Sequence, residues 1–172
     1  MSAPDAGLAP LAVLAERVGA ALRARGETVA VAESSAGGLV SAALLAVPGA
    51  SAYFRGGAVV YSRYAGKALL GLTAADMEGL RGETEPFALL IAGRMRDTHR
   101  ATWGLGETGA AGPSGSPYGD AAGHVCIAVV GATTQSRTVE TGLPERASNM
   151  DRFARELLAL FDATLKQASA RQ

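Results

Sequence analysis

Lysine, histidine and cysteine are all scarce in this chain. Lys67 and Lys166 are the only lysines among sixteen basic residues, His99 and His124 the only histidines, and Cys126 the only cysteine of 172 residues. A single cysteine excludes an internal disulfide and any zinc site built on cysteine pairs, and two unclustered histidines give no transition-metal ligand set. An excess of either charge is also missing. Sixteen acidic residues balance the sixteen basic ones, which leaves no field to hold a phosphate backbone, so nucleic acid is not an expected partner. No apolar run is long enough to span a bilayer, and no basic start is followed by an apolar block, so neither a membrane span nor a secretory signal is expected. The expected location is the cytoplasm.

What is present suits one globular domain. Hydrophobic residues make up 48% of the chain, enough at this length to bury a core. Residues 1–8 are small and polar and are expected to be disordered, with a single domain over 9–168. Leu11, Leu14, Val18 and Leu22 recur at helical spacing, and Gly26 follows as a C-terminal cap. Residues 28–32 form an apolar run typical of a strand buried on both faces. A helix over 37–46 stops at Pro48-Gly49. A second strand is predicted at 57–61, then helices at 63–70 and 74–80, and a further helix opened by Pro86 and reaching about residue 101. Strands follow at 103–108, 123–130 and 136–141, with a glycine-rich loop over 109–117. Phe153, Leu157, Leu160 and Phe161 mark a closing amphipathic helix. Alternating helices and apolar strands, then two adjacent strands, predict a three-layer α/β/α sandwich with a mostly parallel sheet and one antiparallel member. In such sheets ligands bind beyond the carboxyl ends of the strands, where both glycine-rich segments are expected to face one pocket.

Three segments could carry chemistry. In Glu33-Ser34-Ser35-Ala36-Gly37-Gly38 the two glycines let backbone N–H groups approach an anion or a developing oxyanion, and a serine before them is either a nucleophile or a helix cap. In Tyr61-Ser62-Arg63-Tyr64-Ala65-Gly66-Lys67 a lysine could serve as base to a serine and a tyrosine could relay its proton; the plainer reading is a strand end with a solvated lysine. Residues 108–117 match neither the phosphate-loop nor the dinucleotide pattern and read as a ligand-facing loop or a surface connection. A Ser-His-Asp triad through His124 has nothing in its favour, and Trp103 reads as core.

The segments in this order resemble the CinA C-terminal domain family. Its members carry Glu-Ser-Cys-Thr-Gly-Gly, Val-Pro-Gly-Ser-Ser, Gly-Gly-Val-Val-Ala-Tyr-Ser and Thr-Gly-Ile-Ala-Gly-Pro. The counterparts here are the Glu33 segment, Val47-Pro48-Gly49-Ala50-Ser51, Gly56-Gly57-Ala58-Val59-Val60-Tyr61-Ser62 and Thr108-Gly109-Ala110-Ala111-Gly112-Pro113, and the likeness covers about residues 10 to 165. The resemblance implies a five-stranded mixed sheet between helices. It also implies a metal-independent, cofactor-free serine amidohydrolase that converts an amide such as that of nicotinamide mononucleotide to the acid and ammonia. By that carry-over Ser34 is the nucleophile, Tyr61 its partner and Lys67 the available lysine. Glu33, Gly37, Gly38, Thr108, Gly109 and Gly112 would line the substrate, a pyridine nucleotide, and family precedent implies a homo-oligomer.

This sequence departs from the family pattern at several points. The family lysine falls at Gly66, with Lys67 one place later. Ser35 and Ala36 replace Cys and Thr. Gly82-Glu83-Thr84-Glu85-Pro86 replaces a Gly-Ala-Val-Ser-Glu turn, and Asp120-Ala121-Ala122-Gly123-His124-Val125 loses a cation. Gly142-Leu143-Pro144-Glu145-Arg146 stands loosely for Gly-Asp-Arg. These changes favour an alternative reading, a catalytically degraded homologue that binds a small ligand or a protein partner.

Overall fold

The computed structural model describes residues 7–169; of the expected disordered segment, residues 1–6 lie outside it. Helix α1 (Leu11–Arg25) presents Leu14, Val18 and Leu22 to the core and ends on Gly26 at φ 62°. The apolar run that follows becomes β1 (Val29–Glu33), every residue of it buried. Helix α2 (Leu39–Leu45) is short and leads through a 3-10 turn to β2 (Phe54–Val59). Helix α3 (Arg63–Leu70) is capped by the Ser62 hydroxyl, and α4 (Glu85–Thr98) by the Thr84 hydroxyl. Strands β3 (Trp103–Ala110), β4 (His124–Val130) and β5 (Gln135–Glu140) precede the long closing helix α5 (Arg146–Ser169).

The five strands lie in the order β2-β1-β3-β4-β5. Strand β1 runs parallel to both β2 and β3, while β4 is antiparallel to β3 and β5 to β4. Only β4 therefore reverses, which gives the mixed, mostly parallel α/β sandwich. Because side chains alternate across a strand, the two faces of the sheet feed separate cores. Val29, Val31, Trp103, Leu105, Val125 and Ile127 pack with α1, α2 and α5. Ala30, Ala32, Cys126 and Ala128 face α4. Helix α4 lies unusually close to β3: a Cβ at Gly104 would stand 2.0 Å from the Ala92 carbonyl oxygen, and one at Gly106 2.2 Å from that of Ala88.

The observed elements differ from the predicted ones in four places. Residues 74–79 form successive turns rather than a helix. Thr73 and Asp76 cap one another, but the turns that follow close on three-residue hydrogen bonds, Met77 N–H to the Ala74 carbonyl at 3.2 Å and Glu78 N–H to that of Ala75 at 3.3 Å. Asp76 pairs with Arg94 at 2.7 Å. The second strand runs from Phe54 to Val59, starting three residues before and ending two short of the prediction, since Ser62 already turns the chain into α3. Helix α4 stops at Thr98, where Arg100 adopts φ 48°. Strand β3 runs on through Gly109 and Ala110, which pair with Val125 and His124, so those two residues belong to the sheet and not to the loop.

Candidate functional site

Two buried carboxylates organise the segment after β1. Glu33, fully buried, accepts from the N–H groups of Gly38 (3.1 Å), Val40 (2.9 Å) and Ser41 (2.8 Å) and so caps α2 itself. Glu107, equally buried, lies beside it, one step past the Ala32–Gly106 pair of the β1–β3 ladder. Its Oε2 accepts from the N–H groups of Ser34 at 2.9 Å and Ala36 at 2.8 Å, and its Oε1 from the Ser35 hydroxyl. Burial pushes the Glu107 carboxyl up to about 7, the charge of Glu33 adding to the rise and the hydrogen bonds opposing it.

Ser34 is half-buried, and its hydroxyl makes no hydrogen bond among the described residues. It is not a helix cap, since Glu33 fills that role. Ser35 is buried and turned inward to Glu107. Gly37 and Gly38 adopt φ 68° and 99°, and a Cβ on Gly37 would stand 2.9 Å from the methyl of Met150 on α5. The Gly38 N–H expected to face a ligand is occupied by Glu33, and that of Gly37 donates to the Ser34 carbonyl at 3.1 Å.

The start of α5 collects the other segments. Arg146 donates to the Gly112 carbonyl at 2.8 Å and to the Tyr61 hydroxyl oxygen at 3.1 Å, its guanidinium lying 5.9 Å from the Tyr61 ring centroid. Buried Asn149 donates to the carbonyls of Ala111 and Leu143, both at 2.8 Å, and its Oδ1 accepts from the Thr141 hydroxyl. Gly112 adopts φ 100°, where a Cβ would stand 2.7 Å from the Pro144 carbonyl oxygen. The Ser34 loop, Tyr61 and the Ala111–Gly112 backbone thus meet around one helix end.

Other predicted residues lie elsewhere. Lys67 is exposed, whereas the inward residues of α3 are Gly66 and Leu70; among the described residues its ammonium has no partner. A Cβ at Gly66 would meet Leu72 at 3.3 Å. Thr108 alternates to the α4 face of the sheet, opposite Glu107, and accepts from the Glu83 N–H at 3.2 Å. Gly109 is packed against β4, since a Cβ there would stand 2.4 Å from the His124 carbonyl oxygen. His124 has both ring nitrogens engaged, Nδ1 by Glu140 and Nε2 by the Glu83 carbonyl at 2.9 Å, which leaves neither for a serine. Its pKa is raised: burial alone would lower it, but the Glu140 and Glu83 hydrogen bonds outweigh that. Among the described residues no three His, Cys, Asp or Glu side chains come together as a metal would require. No described helix is long and apolar enough to cross a membrane.

Sequence reasoning missed Glu107 and Asn149 as site-building groups. The available signals were a lone carboxylate inside the otherwise uncharged strand Trp103–Ala110 and an amide amid the apolar spacing of α5.

The comparisons agree with this architecture. A CinA-like protein of Anaeromyxobacter sp. (strain Fw109-5) is 43% identical over 131 residues, covering 74% of this chain but 32% of that relative. One from Acaryochloris marina is 37% identical over 153 residues, covering 83% of this chain and 36% of the relative. The chain thus spans about a third of these curated relatives. Among solved structures, a CinA superfamily protein from Enterobacter cloacae superimposes with a TM-score of 0.85 at 26% identity, covering 96% of this chain and 98% of its own. A competence or damage-inducible protein from Enterobacter asburiae gives 0.84 at 28% identity, covering 91% and 99%. The CinA C-terminal domain profile matches residues 11–165, and the chain belongs to that family.

Proposed function

We propose that the chain is a serine amidohydrolase that takes a small amide of the nicotinamide-nucleotide type to its acid and ammonia, with Ser34 as nucleophile. The observation that carries this reading is the state of Ser34. It stands at the carboxyl edge of β1 with a free hydroxyl and takes no part in capping α2, while Glu107 holds its main chain. In the reaction the Ser34 hydroxyl gives up its proton as its oxygen bonds to the amide carbon, and the carbonyl oxygen gains the charge. Collapse breaks the C–N bond and the amine leaves as ammonia carrying that proton; water then adds to the ester, its hydroxyl staying on the acid and its hydrogen returning to the Ser34 oxygen. Tyr61, whose oxygen accepts from Arg146, keeps its own O–H to donate at this edge.

One observation favours a second reading, in which the site binds such a ligand without turning it over. Gly66 fills the family lysine position, and Lys67 points to solvent. Ammonia release from nicotinamide mononucleotide separates the two. The amidohydrolase predicts turnover by the wild type and loss of about a thousandfold or more in Ser34→Ala. Binding without turnover predicts a ligand-dependent rise in melting temperature with no product. Under that second reading Gly66→Lys, which restores the family lysine and asks Leu72 to yield a few tenths of an ångström, is the variant expected to gain release.

A further inference from the structure

Amide hydrolysis asks two things of the Ser34 loop: a hydroxyl held in one place and an N–H aimed at the developing oxyanion. Most donors of the loop are already engaged. Ser34 and Ala36 donate to Glu107, and Gly38, Val40 and Ser41 to Glu33. Gly37 donates to the Ser34 carbonyl and Leu39 to that of Ala36. The N–H of Ser35, immediately after the nucleophile, has no acceptor among the described residues.

We propose that Glu107 is a positioning residue for Ser34, and that the loop shape it imposes leaves the Ser35 N–H as the oxyanion donor. This inference rests on the amidohydrolase reading. Glu107 belongs to β3, which, like β1 beside it, is hydrogen-bonded on both sides within the sheet. One of its oxygens bridges the N–H groups of residues 34 and 36, which curls the chain between them. The other takes the Ser35 hydroxyl, drawing that side chain into the core and leaving the Ser34 hydroxyl at the edge. Nothing else among the described residues ties the Ser34 side chain or N–H, so Glu107 sets where the nucleophile stands.

The arrangement survives a change of protonation. As a carboxylate Glu107 accepts all three hydrogen bonds. As a neutral acid its carbonyl oxygen accepts the two N–H groups and its O–H donates to the Ser35 oxygen. A glutamine does the same through its carbonyl and NH2, keeping the geometry and removing the charge. Glu33 is the neighbouring charge that acts on Glu107. Near pH 7, where Glu107 ionises, a negative charge appears behind the loop and opposes the oxyanion.

The test uses the wild type and two variants of the full chain. Amide exchange followed by NMR should show the Ser34 and Ala36 N–H groups at least about tenfold slower than that of Ser35, with the protection lost in Glu107→Ala. Equal exchange at all three in the wild type overturns the proposal, whatever the turnover. On nicotinamide mononucleotide, Glu107→Ala should lower kcat about a hundredfold with KM within about threefold. The wild type should lose kcat as pH rises above 7, and Glu107→Gln should match its kcat at low pH without that loss. A Glu107→Ala protein that unfolds cooperatively yet keeps wild-type kcat overturns the proposal, and so does a Glu107→Gln protein as impaired as Glu107→Ala. A wild type that releases no ammonia but shows the expected exchange pattern supports the positioning and overturns the amide reaction, so the two failures read separately.

Discussion

A carboxylate placed in a sheet interior behaves unlike one on a surface, and Glu107 makes the consequence measurable. Its folded-state pKa of about 7 lies above the ordinary value for glutamate. Between roughly pH 4.5 and 7 the native state therefore holds a proton that the unfolded chain has released. The stability that this group contributes is fully present below the unfolded pKa and is lost as pH rises through the folded one, a change on the order of 3 kcal/mol across the window. Urea unfolding of the wild type should show stability falling from pH 5 to 7.5, with a shallower fall in Glu107→Gln. His124 and Glu83, also raised, act in the same direction in both proteins, so the difference between the two curves belongs to Glu107. Asp120, held down at about 2 by its hydrogen bond from Arg81, loses its contribution only at much lower pH. At this scale the sequence left Ser34 open between cap and nucleophile. The residue that excludes the cap, Glu33, sits next to it in the chain, but the one that holds its N–H comes 73 positions later.

Among the elements, α4 lies close enough against β3 for its backbone to exclude side chains there. Their approach depends on two glycines at alternate positions, Gly104 and Gly106, whose missing side chains admit the α4 backbone. Backbone cannot yield as a side-chain tip can. Gly106→Ala should therefore destabilise by about 3 kcal/mol or more, read as a drop in the urea midpoint at unchanged slope. The same pairing explains which elements were legible. The fully buried run of β1 and the capping of α1 by Gly26 follow from local burial and turn chemistry; the cap appears where predicted and the strand within one residue of it. The ends of β2 and β3 do not, because a strand stops where its neighbour stops donating, and that neighbour is far away in sequence. The turns over 74–79 were read as a helix because their composition suits one. The ion pair that ties Asp76 to Arg94 on α4 is a tertiary matter that composition does not show.

Across the whole molecule the first turns of α5 act as the clasp. Arg146 joins Tyr61 to Gly112, Asn149 joins Ala111 to Leu143, and Met150 lies over Gly37. Asn149→Ala would leave the buried Ala111 carbonyl and the part-buried Leu143 carbonyl without their donor, and the Thr141 hydroxyl without its acceptor. The expected cost is about 2 to 4 kcal/mol by chemical denaturation, with the loop after β3 losing exchange protection before the rest of the sheet. Arg146 is exposed and should matter little to stability.

Taken alone, the order of residues sufficed for the class of fold, the sequence of its elements, the family and the loop that carries Ser34. Each of these is written in patterns that span a few residues, where burial periodicity and glycine conformations act locally. Folding in three dimensions was needed to give Glu107 its grip on that loop, to turn Lys67 toward solvent while Gly66 faces Leu72, and to bring Arg146 to Tyr61. Those outcomes depend on strand register and on how a helix is rotated against the sheet, which arise only when distant segments exclude water from one another.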